Sequence, residues 1–188
     1  MPPLAKEKTR PRVGTEVAGN GAGVAYLGID PGGAGGMVLI SEDGLRVIDR
    51  VALASVTLTQ LLDWLRSAKA RRPRVRAAVE LVTGYAPGKK RGPNSNPGST
   101  MFTFGKGVGH LEMALTAAEI PWEKVAPQRW QKAVGVSGKK PGEADTAWKR
   151  RLKERAEALF PGSGMTNWAA DAVLIAEWLR RERAPARD

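Results

Sequence analysis

Three short apolar runs near the start of the chain are separated by turn residues. The first covers residues 24–29 and stops at the turn sequence Asp30-Pro31-Gly32-Gly33. The second and third runs, at 36–40 and 45–51, flank a turn that contains Asp43-Gly44. An Asp-Gly pair between apolar runs is a strong signal for a β-hairpin. The pattern therefore predicts three antiparallel strands at the start of the domain.

The rest of the chain alternates between helical and extended patterns. A helix is expected after the N-cap Thr57, because leucines at 58, 61, 62 and 65 recur at helical spacing. Further elements are a strand at 77–82, a Gly/Pro-rich basic loop at 83–98, a helix at 99–118, a strand at 122–126 and helices at 127–130, 146–159 and 167–183. This order predicts an α/β fold with a mixed sheet. In the last helix, an apolar stripe through Trp168, Ala172, Ile175 and Leu179 is expected to face the core.

Composition predicts one folded domain with loose ends. The chain has 188 residues, which is enough for one domain and short for two. Residues 1–23 mix Pro, Gly, Lys, Glu and Thr without an apolar period, which predicts a disordered basic arm. The domain is expected at 24–183, followed by a disordered tail at 184–188.

The charge balance points to a polyanionic partner. Lys and Arg number 30 against 19 Asp and Glu, which gives a net charge of +11, and nucleic acid is the commonest partner of such a protein. The absence of Cys excludes disulfides and thiolate zinc sites, and a single His argues against imidazole-rich metal sites. No apolar run approaches the roughly 20 residues that a membrane span needs. We therefore expect a soluble cytoplasmic protein with no membrane partner and no small-molecule cofactor.

Three acids stand at unusual places in apolar segments. Asp30 ends the first strand, Glu80 lies in the strand expected beside it, and Asp171 lies in the apolar last helix. A charge in an apolar element costs several kcal/mol unless it is paired or bound to a metal. Oxygen ligands without Cys or His suit Mg²⁺ or Mn²⁺, and two such ions can hydrolyse a phosphodiester. The three carboxylates are therefore candidates for a metal-dependent phosphodiesterase site.

Each acid also has an ordinary structural explanation. Asp30 could cap the turn at Pro31, Glu80 could pair with Arg76, and Asp171 could be an acid of the first helical turn. The glycine-rich run after Asp30 could instead cradle nucleotide phosphates. It lacks the Gly-Lys-Ser/Thr of a P-loop, however, and it leads into a strand rather than a helix.

Six short motifs follow one another along residues 26–183. They are GIDPG at 28–32 with GG at 35–36, VE at 79–80, MFTFG at 101–105 with Gly109, VAPQRWQK at 125–132, LFP at 159–161, and ADAVLIAEW at 170–178. In this order they resemble the RuvC-like Holliday junction resolvases, especially the compact phage and bacterial branch. The resemblance implies an RNase H-like fold: a five-stranded mixed sheet, its first three strands antiparallel, with helices on both faces.

The resemblance also implies a homodimeric endonuclease that nicks symmetry-related strands of four-way or branched DNA in a bacterial or phage-infected cell. Catalysis would use Mg²⁺ or Mn²⁺, two ions per active site, held by Asp30, Glu80 and Asp171. Lys149 falls where relatives carry a lysine near the cleaved phosphate. The helix at 99–118 is the candidate for the dimer contact.

One position departs from the pattern of the family. Relatives carry a fourth acid or a histidine three or four residues before the position of Asp171, where this chain has Trp168 and Asn167. The side-chain carbonyl of Asn167 is the expected fourth metal ligand, although it is neutral and weaker than a carboxylate. A site with one negative charge fewer is expected to hold its second ion less tightly.

Basic and aromatic residues elsewhere are candidates for contacts with DNA and for the core. The predicted DNA-binding residues are Lys89, Lys90, Arg91, Arg150, Arg151, Lys153 and Tyr85, the last against unstacked bases. Phe102 and Phe104 are predicted to pack in the core.

Two other functions fit the same features. One is an RNase H-like nuclease that acts on RNA or on other branched DNA, and the other is a junction-binding architectural protein that has lost cleavage. Retention of all three acids favours the enzyme.

Overall fold

The computed structural model describes residues 23–82 and 97–183. The predicted N-terminal arm, apart from Gly23, the predicted tail at 184–188 and residues 83–96 of the predicted basic loop lie outside these ranges.

Five strands form one mixed sheet. They are β1 (Ala25–Ile29), β2 (Gly36–Ile40), β3 (Val47–Ala52), β4 (Val75–Glu80) and β5 (Trp122–Val125). The order across the sheet is β3-β2-β1-β4-β5. The first three strands are antiparallel, whereas β4 runs parallel to both β1 and β5. The predicted five-stranded mixed sheet is therefore confirmed.

Within residues 23–82 and 97–183, five α-helices connect and cover the strands. They are α1 (Leu58–Arg71), α2 (Pro97–Ala117), α3 (Pro127–Ala133), α4 (Asp145–Leu159) and α5 (Asn167–Arg183). Helix α1 begins at the predicted cap, where Thr57 Oγ1 accepts from the backbone N–H of Gln60 at 3.3 Å and the Gln60 side chain accepts from the backbone N–H of Thr57 at 2.9 Å. This reciprocal pair is a capping box, which satisfies two N–H groups at the helix start.

The two faces of the sheet bury different helices. Side chains alternate between the faces along each strand. In β1, Leu27 and Ile29 pack with α1 and α2, whereas Tyr26 packs on the other side with α3, α4 and α5. The fold thus has helices on both faces of the sheet, as predicted.

The predicted apolar stripe of α5 faces the core, but burial extends beyond it to every side of the helix. All residues from 169 to 179 are buried, because the helix lies between the sheet and the helices α3 and α4. Gly28 on β1 permits the close approach, since a Cβ there would lie 2.0 Å from the carbonyl oxygen of Ala172. The same contact brings the neighbouring Asp171 close to the end of β1.

Helix α2 also differs from the prediction at one residue. Phe102 is 74% exposed rather than packed in the core, whereas Phe104 is half-buried.

Candidate active site

The three singled-out acids meet at one end of the sheet. Asp30 follows the last residue of β1 and Glu80 is the last residue of β4, and these strands are parallel neighbours in which Ile29 pairs with Val79. Functional groups at the carboxyl ends of adjacent parallel strands lie side by side. Asp171 comes from α5, which crosses β1 at Gly28. The structure therefore places two strand ends and one helix around a common point.

A cleft of about 490 Å³ opens at this point. Its lining consists of Asp30, Gly32, Ala34, Gly35, Glu80, Lys149, Asn167, Trp168 and Asp171. Five of these residues, the three acids with Lys149 and Asn167, carry the polar groups that sequence analysis assigned to catalysis or metal binding.

The turn after β1 fixes the backbone of Asp30. Asp30 Oδ1 accepts a hydrogen bond from the backbone N–H of Gly32 at 3.0 Å, so the carboxylate caps its own turn as well as facing the cleft. Gly35 folds back against it, and a Cβ at Gly35 would lie 2.2 Å from the backbone carbonyl oxygen of Asp30. The glycines thus serve a tight turn into β2, and this turn has no helix N-terminus that could cradle a phosphate.

Glu80 is held by a tryptophan rather than by an arginine. The indole Nε1 of Trp130 donates a hydrogen bond to Glu80 Oε1 at 3.0 Å. Arg76, the ion-pair partner considered from sequence, is exposed. Burial and the nearby carboxylate of Asp30 raise the pKa of Glu80 to about 7, although the hydrogen bond from Trp130 acts in the opposite direction.

Asp171 is ion-paired with Lys149 from α4. The Lys149 ammonium donates to Asp171 Oδ2, while Asp171 Oδ1 is buried without a hydrogen-bond partner among the described residues. Burial raises the pKa of Asp171 against the opposing effect of Lys149. Burial acts to lower the pKa of Lys149, but the carboxylates of Asp171, Asp30 and Glu80 outweigh it and the pKa lies above its ordinary value.

The donor chemistry of the cleft fits a divalent cation, although the acids are not gathered as a metal cluster. In the described part of the chain, no three acidic or imidazole groups are close enough together to hold a metal as they stand. Three carboxylates against one ammonium leave two uncompensated negative charges when all groups are ionised. The buried Oδ1 of Asp171, which has no hydrogen-bond partner among the described residues, offers an oxygen that a cation can bind. Asp171 offers a cation its unpartnered Oδ1 while Lys149 stays on Oδ2, whereas binding through Oδ2 requires Lys149 to move away.

The two residues at the expected fourth ligand position have different surroundings. Asn167 is exposed, lines the cleft and lies one helical turn before Asp171 on α5. Trp168 packs its ring over Gly36, where a Cβ would lie 2.4 Å from the ring. Asn167 is therefore the residue of the two with a side chain free to serve a ligand role.

The predicted DNA-binding residues on α4 have unequal environments. Arg150 is exposed, and its one ion pair with another described residue is a long one, 3.7 Å to Glu154. Arg151 makes two 2.8 Å hydrogen bonds to the carboxylate of Glu143 and stacks over Trp148. These contacts hold the loop before α4 in place, so Arg151 stabilises the local structure.

Of the other predicted DNA-binding residues, the structure describes only Lys153. Lys153 is half-buried on α4. Tyr85, Lys89, Lys90 and Arg91 lie outside the described residues. A role in DNA binding stays a prediction for all seven.

Sequence analysis missed two contacts of the site. Asp171 seemed to lack a cationic partner because no Lys or Arg stands near it in sequence, and Lys149 reaches it from a different helix. The contact between Trp130 and Glu80 had a usable signal, because a buried indole N–H usually finds an acceptor.

The order of strands, with the first three antiparallel and helices on both faces, is that of an RNase H-like α/β fold. No protein-family description and no curated protein sequence matches this chain. Among solved structures, Thermus thermophilus RuvC in complex with a Holliday junction substrate has a TM-score of 0.57 at 15% identity, and the match covers 86% of this chain and 97% of that one. A second Thermus thermophilus RuvC structure has a TM-score of 0.53 at 16% identity, covering 85% and 97%. The chain has a RuvC-like fold, as its motifs predict.

Among the described helices, none combines the length and apolar character that crossing a bilayer requires.

Proposed function

We propose that this protein is a divalent-metal-dependent endonuclease that nicks four-way DNA junctions. The observation that carries the proposal is the convergence of Asp30, Glu80 and Asp171 on one cleft of a RuvC-like fold. One structure of similar fold is a complex with a Holliday junction substrate. The net charge of +11 suits a partner with a dense array of phosphates.

Within this proposal, the residues of the cleft have two roles: to bind the metal ions and to neutralise charge on the phosphate. Asp30, Glu80, Asp171 and the side-chain carbonyl of Asn167 would hold two ions of Mg²⁺ or Mn²⁺. The ions would activate water and stabilise the leaving oxygen of the phosphodiester. Lys149, once it leaves Asp171, presents an ammonium at the mouth of the cleft, where it neutralises charge on the cleaved phosphate.

The proposal is tested with three substrates in parallel. A synthetic four-way junction, a linear duplex of matched sequence and a stem-loop RNA are each incubated with Mg²⁺ or Mn²⁺. We expect paired nicks at symmetric positions of the junction and little cleavage of the duplex or the RNA. Preferential cleavage of the RNA would contradict the proposal and favour an RNase H-like activity on RNA.

A second candidate function is a junction-binding protein without cleavage. It is favoured by the neutral Asn167 at the fourth ligand position and by the ion pair that occupies Asp171. Both functions predict junction binding in EDTA. Only the nuclease converts bound junction to nicked product when Mn²⁺ is added.

We also propose that the protein acts as a homodimer through α2. Symmetric nicks require two active sites related by a two-fold axis. One face of α2 carries the exposed side chains of Phe102 and Met113. Between them, Gly105 and Gly109 stand on the same face with open space around them, so a second helix can approach closely. Exposed large apolar residues around such a face are typical of an interaction surface.

Phe102→Asp is expected to convert the dimer to a monomer and to abolish paired nicking. The side chain is 74% exposed in the single chain, so the folded monomer loses little stability. Sedimentation velocity measures the change. Leu45→Asp is the matched control, because Leu45 is also 74% exposed but lies in the hairpin between β2 and β3. A Phe102→Asp protein that sediments like the wild-type dimer would exclude α2 as the interface, and a wild type that is monomeric both free and on DNA would exclude the dimer.

Asn167→Asp is expected to lower the metal concentration needed for half-maximal cleavage, on the order of tenfold, because the number of charged ligands tunes the affinity for a divalent cation. The substitution is nearly isosteric, and an acid is favourable at the first residue of α5. Gln128→Glu on α3 is the control, since it adds the same charge at a residue that does not line the cleft. An unchanged metal titration would mean that Asn167 is not a ligand.

A further inference from the structure

Two tryptophans of the core are equally buried but differ in their polar contacts. Trp130 on α3 and Trp178 on α5 are each 1% exposed and belong to the same apolar cluster. The indole N–H of Trp178 has no hydrogen-bond acceptor among the described residues. That of Trp130 donates to Glu80 Oε1 at 3.0 Å. Burial alone therefore does not give an indole an acceptor here; Trp130 has one because it lies beside Glu80.

The backbone fixes Trp130 relative to Glu80. Glu80 pairs in register with Val125 at the end of β5, and the N–H of Leu81 donates to the Val125 carbonyl at 2.7 Å. Helix α3 begins two residues after Val125, with Pro127 in its first turn. Pro at this place is already set for the helical backbone. The indole is thus carried by a helix that directly follows β5, and β5 is hydrogen-bonded to β4, the strand that holds Glu80.

The hydrogen bond restricts the carboxylate of Glu80. Among the described residues, the indole of Trp130 supplies the one direct hydrogen bond that this carboxylate receives. It engages Oε1 and leaves Oε2 available to the cleft that Glu80 lines with Asp30 and Asp171. A donor on one oxygen of a metal-binding carboxylate sets the direction of the other, and loss of such a partner typically weakens metal affinity or activity by about 10- to 100-fold.

We infer that Trp130 is a positioning residue, whose buried indole N–H orients the Glu80 carboxylate for binding a divalent cation. This inference rests on the proposed function, because it takes Glu80 to be a metal ligand. Trp130 does not line the cleft, so it acts on the reaction only through Glu80.

The test compares Trp130→Phe with Trp178→Phe. Each change removes one indole from the same core, and only the first removes the donor to Glu80. Binding of Mn²⁺ to the DNA-free protein is measured from the electron paramagnetic resonance signal of the free ion. Trp130→Phe is expected to weaken Mn²⁺ binding about tenfold, whereas Trp178→Phe leaves it close to wild type. In cleavage assays, kcat falls for Trp130→Phe while the KM for the junction is unchanged.

A second replacement separates the hydrogen bond from packing. At position 130, 3-benzothienylalanine keeps the shape of the indole but has sulfur in place of N–H, so it is informative even if Trp130→Phe fails to fold. It is expected to weaken Mn²⁺ binding to a similar extent.

The outcomes distinguish this inference from the proposed function. A wild-type protein that binds no Mn²⁺ defeats the proposed function and this inference with it. Wild-type affinity in the benzothienylalanine protein, or equal loss in Trp178→Phe, defeats the role of Trp130 alone.

Discussion

Asp30→Asn is expected to abolish junction cleavage while junction binding persists. The amide has nearly the shape of the carboxylate, and its oxygen can still accept the hydrogen bond from the backbone N–H of Gly32. What disappears is one negative charge at the end of β1, which the proposed metal site would need in order to hold its cations. We expect a fall in the cleavage rate of at least about 10³-fold, which corresponds to roughly 4 kcal/mol of transition-state stabilisation.

The measurement is single-turnover cleavage of a labelled four-way junction in Mn²⁺, with binding followed separately in EDTA. Asp63→Asn is the control, because Asp63 is an exposed carboxylate on α1. Helix α1 packs on the face of the sheet opposite to α5, which carries Asp171. The same loss is expected for Glu80→Gln and Asp171→Asn. Wild-type rates in Asp30→Asn would rule out the catalytic role of this cluster.

The neighbouring positions of Asp30 and Glu80 could be predicted because they depend on local patterns. Asp30 follows the apolar run of β1, and Glu80 lies within the apolar run at 77–82 that was expected beside it; in the structure β4 ends at Glu80 and is the parallel neighbour of β1. The prediction needed only the period of the strands and the rule that parallel strands end at the same edge. The bounds of β2 and α5 also agree with the sequence pattern to the residue.

The contacts made by side chains from distant segments could not be predicted in this way. The partner of Asp171 lies 22 residues earlier in the chain, on a helix whose own pattern is basic and polar. Which lysine of α4 reaches Asp171 depends on how α4 rotates against α5, and this rotation is a result of packing. The burial of α5 on every side has the same origin, since three layers of the fold meet around it.

The exposure of Phe102 illustrates a different limit. Apolar residues at helical spacing predict a helix face that is buried. The pattern does not say whether the same chain or another chain buries that face. In α2, Leu111 and Leu115 pack against the sheet, while Phe102 and Met113 point away from it. In the structure α2 therefore has two apolar faces, one packed against the sheet and one exposed, and the sequence pattern does not distinguish them.

Lys149→Met is expected to change metal binding and cleavage in opposite directions. In the folded protein the Lys149 ammonium pairs with Asp171 Oδ2 and places a positive charge beside Oδ1, the oxygen that has no hydrogen-bond partner among the described residues. Without the ammonium, the DNA-free protein is expected to bind Mn²⁺ roughly tenfold more tightly, because the charge of the ligand set tunes the affinity for a divalent cation. Cleavage is nevertheless expected to fall about 100-fold, since the cleft would lose the positive charge that is proposed to face the phosphate.

The same substitution is expected to make stability depend on metal. Asp171 is 6% exposed, and removal of one partner of a buried pair leaves an uncompensated charge. We expect a loss of roughly 2 kcal/mol in EDTA, below the 3 to 5 kcal/mol of fully buried pairs because the Lys149 side chain is partly exposed. Mn²⁺ should restore the melting temperature of Lys149→Met by a larger increment than it adds to the wild type.

Lys153→Met is the control for the metal-binding and stability measurements, both made without DNA. Lys153 lies one turn further along α4, and it does not line the cleft. Its substitution removes the same charge from the same helix, so it accounts for any general electrostatic effect on Mn²⁺ affinity. If Lys149→Met and Lys153→Met bind Mn²⁺ equally well, the ammonium does not compete with the metal. If Lys149→Met cleaves at the wild-type rate, the catalytic role of Lys149 is excluded, and the charge at the phosphate must come from the metal ions or from the basic residues that follow β4.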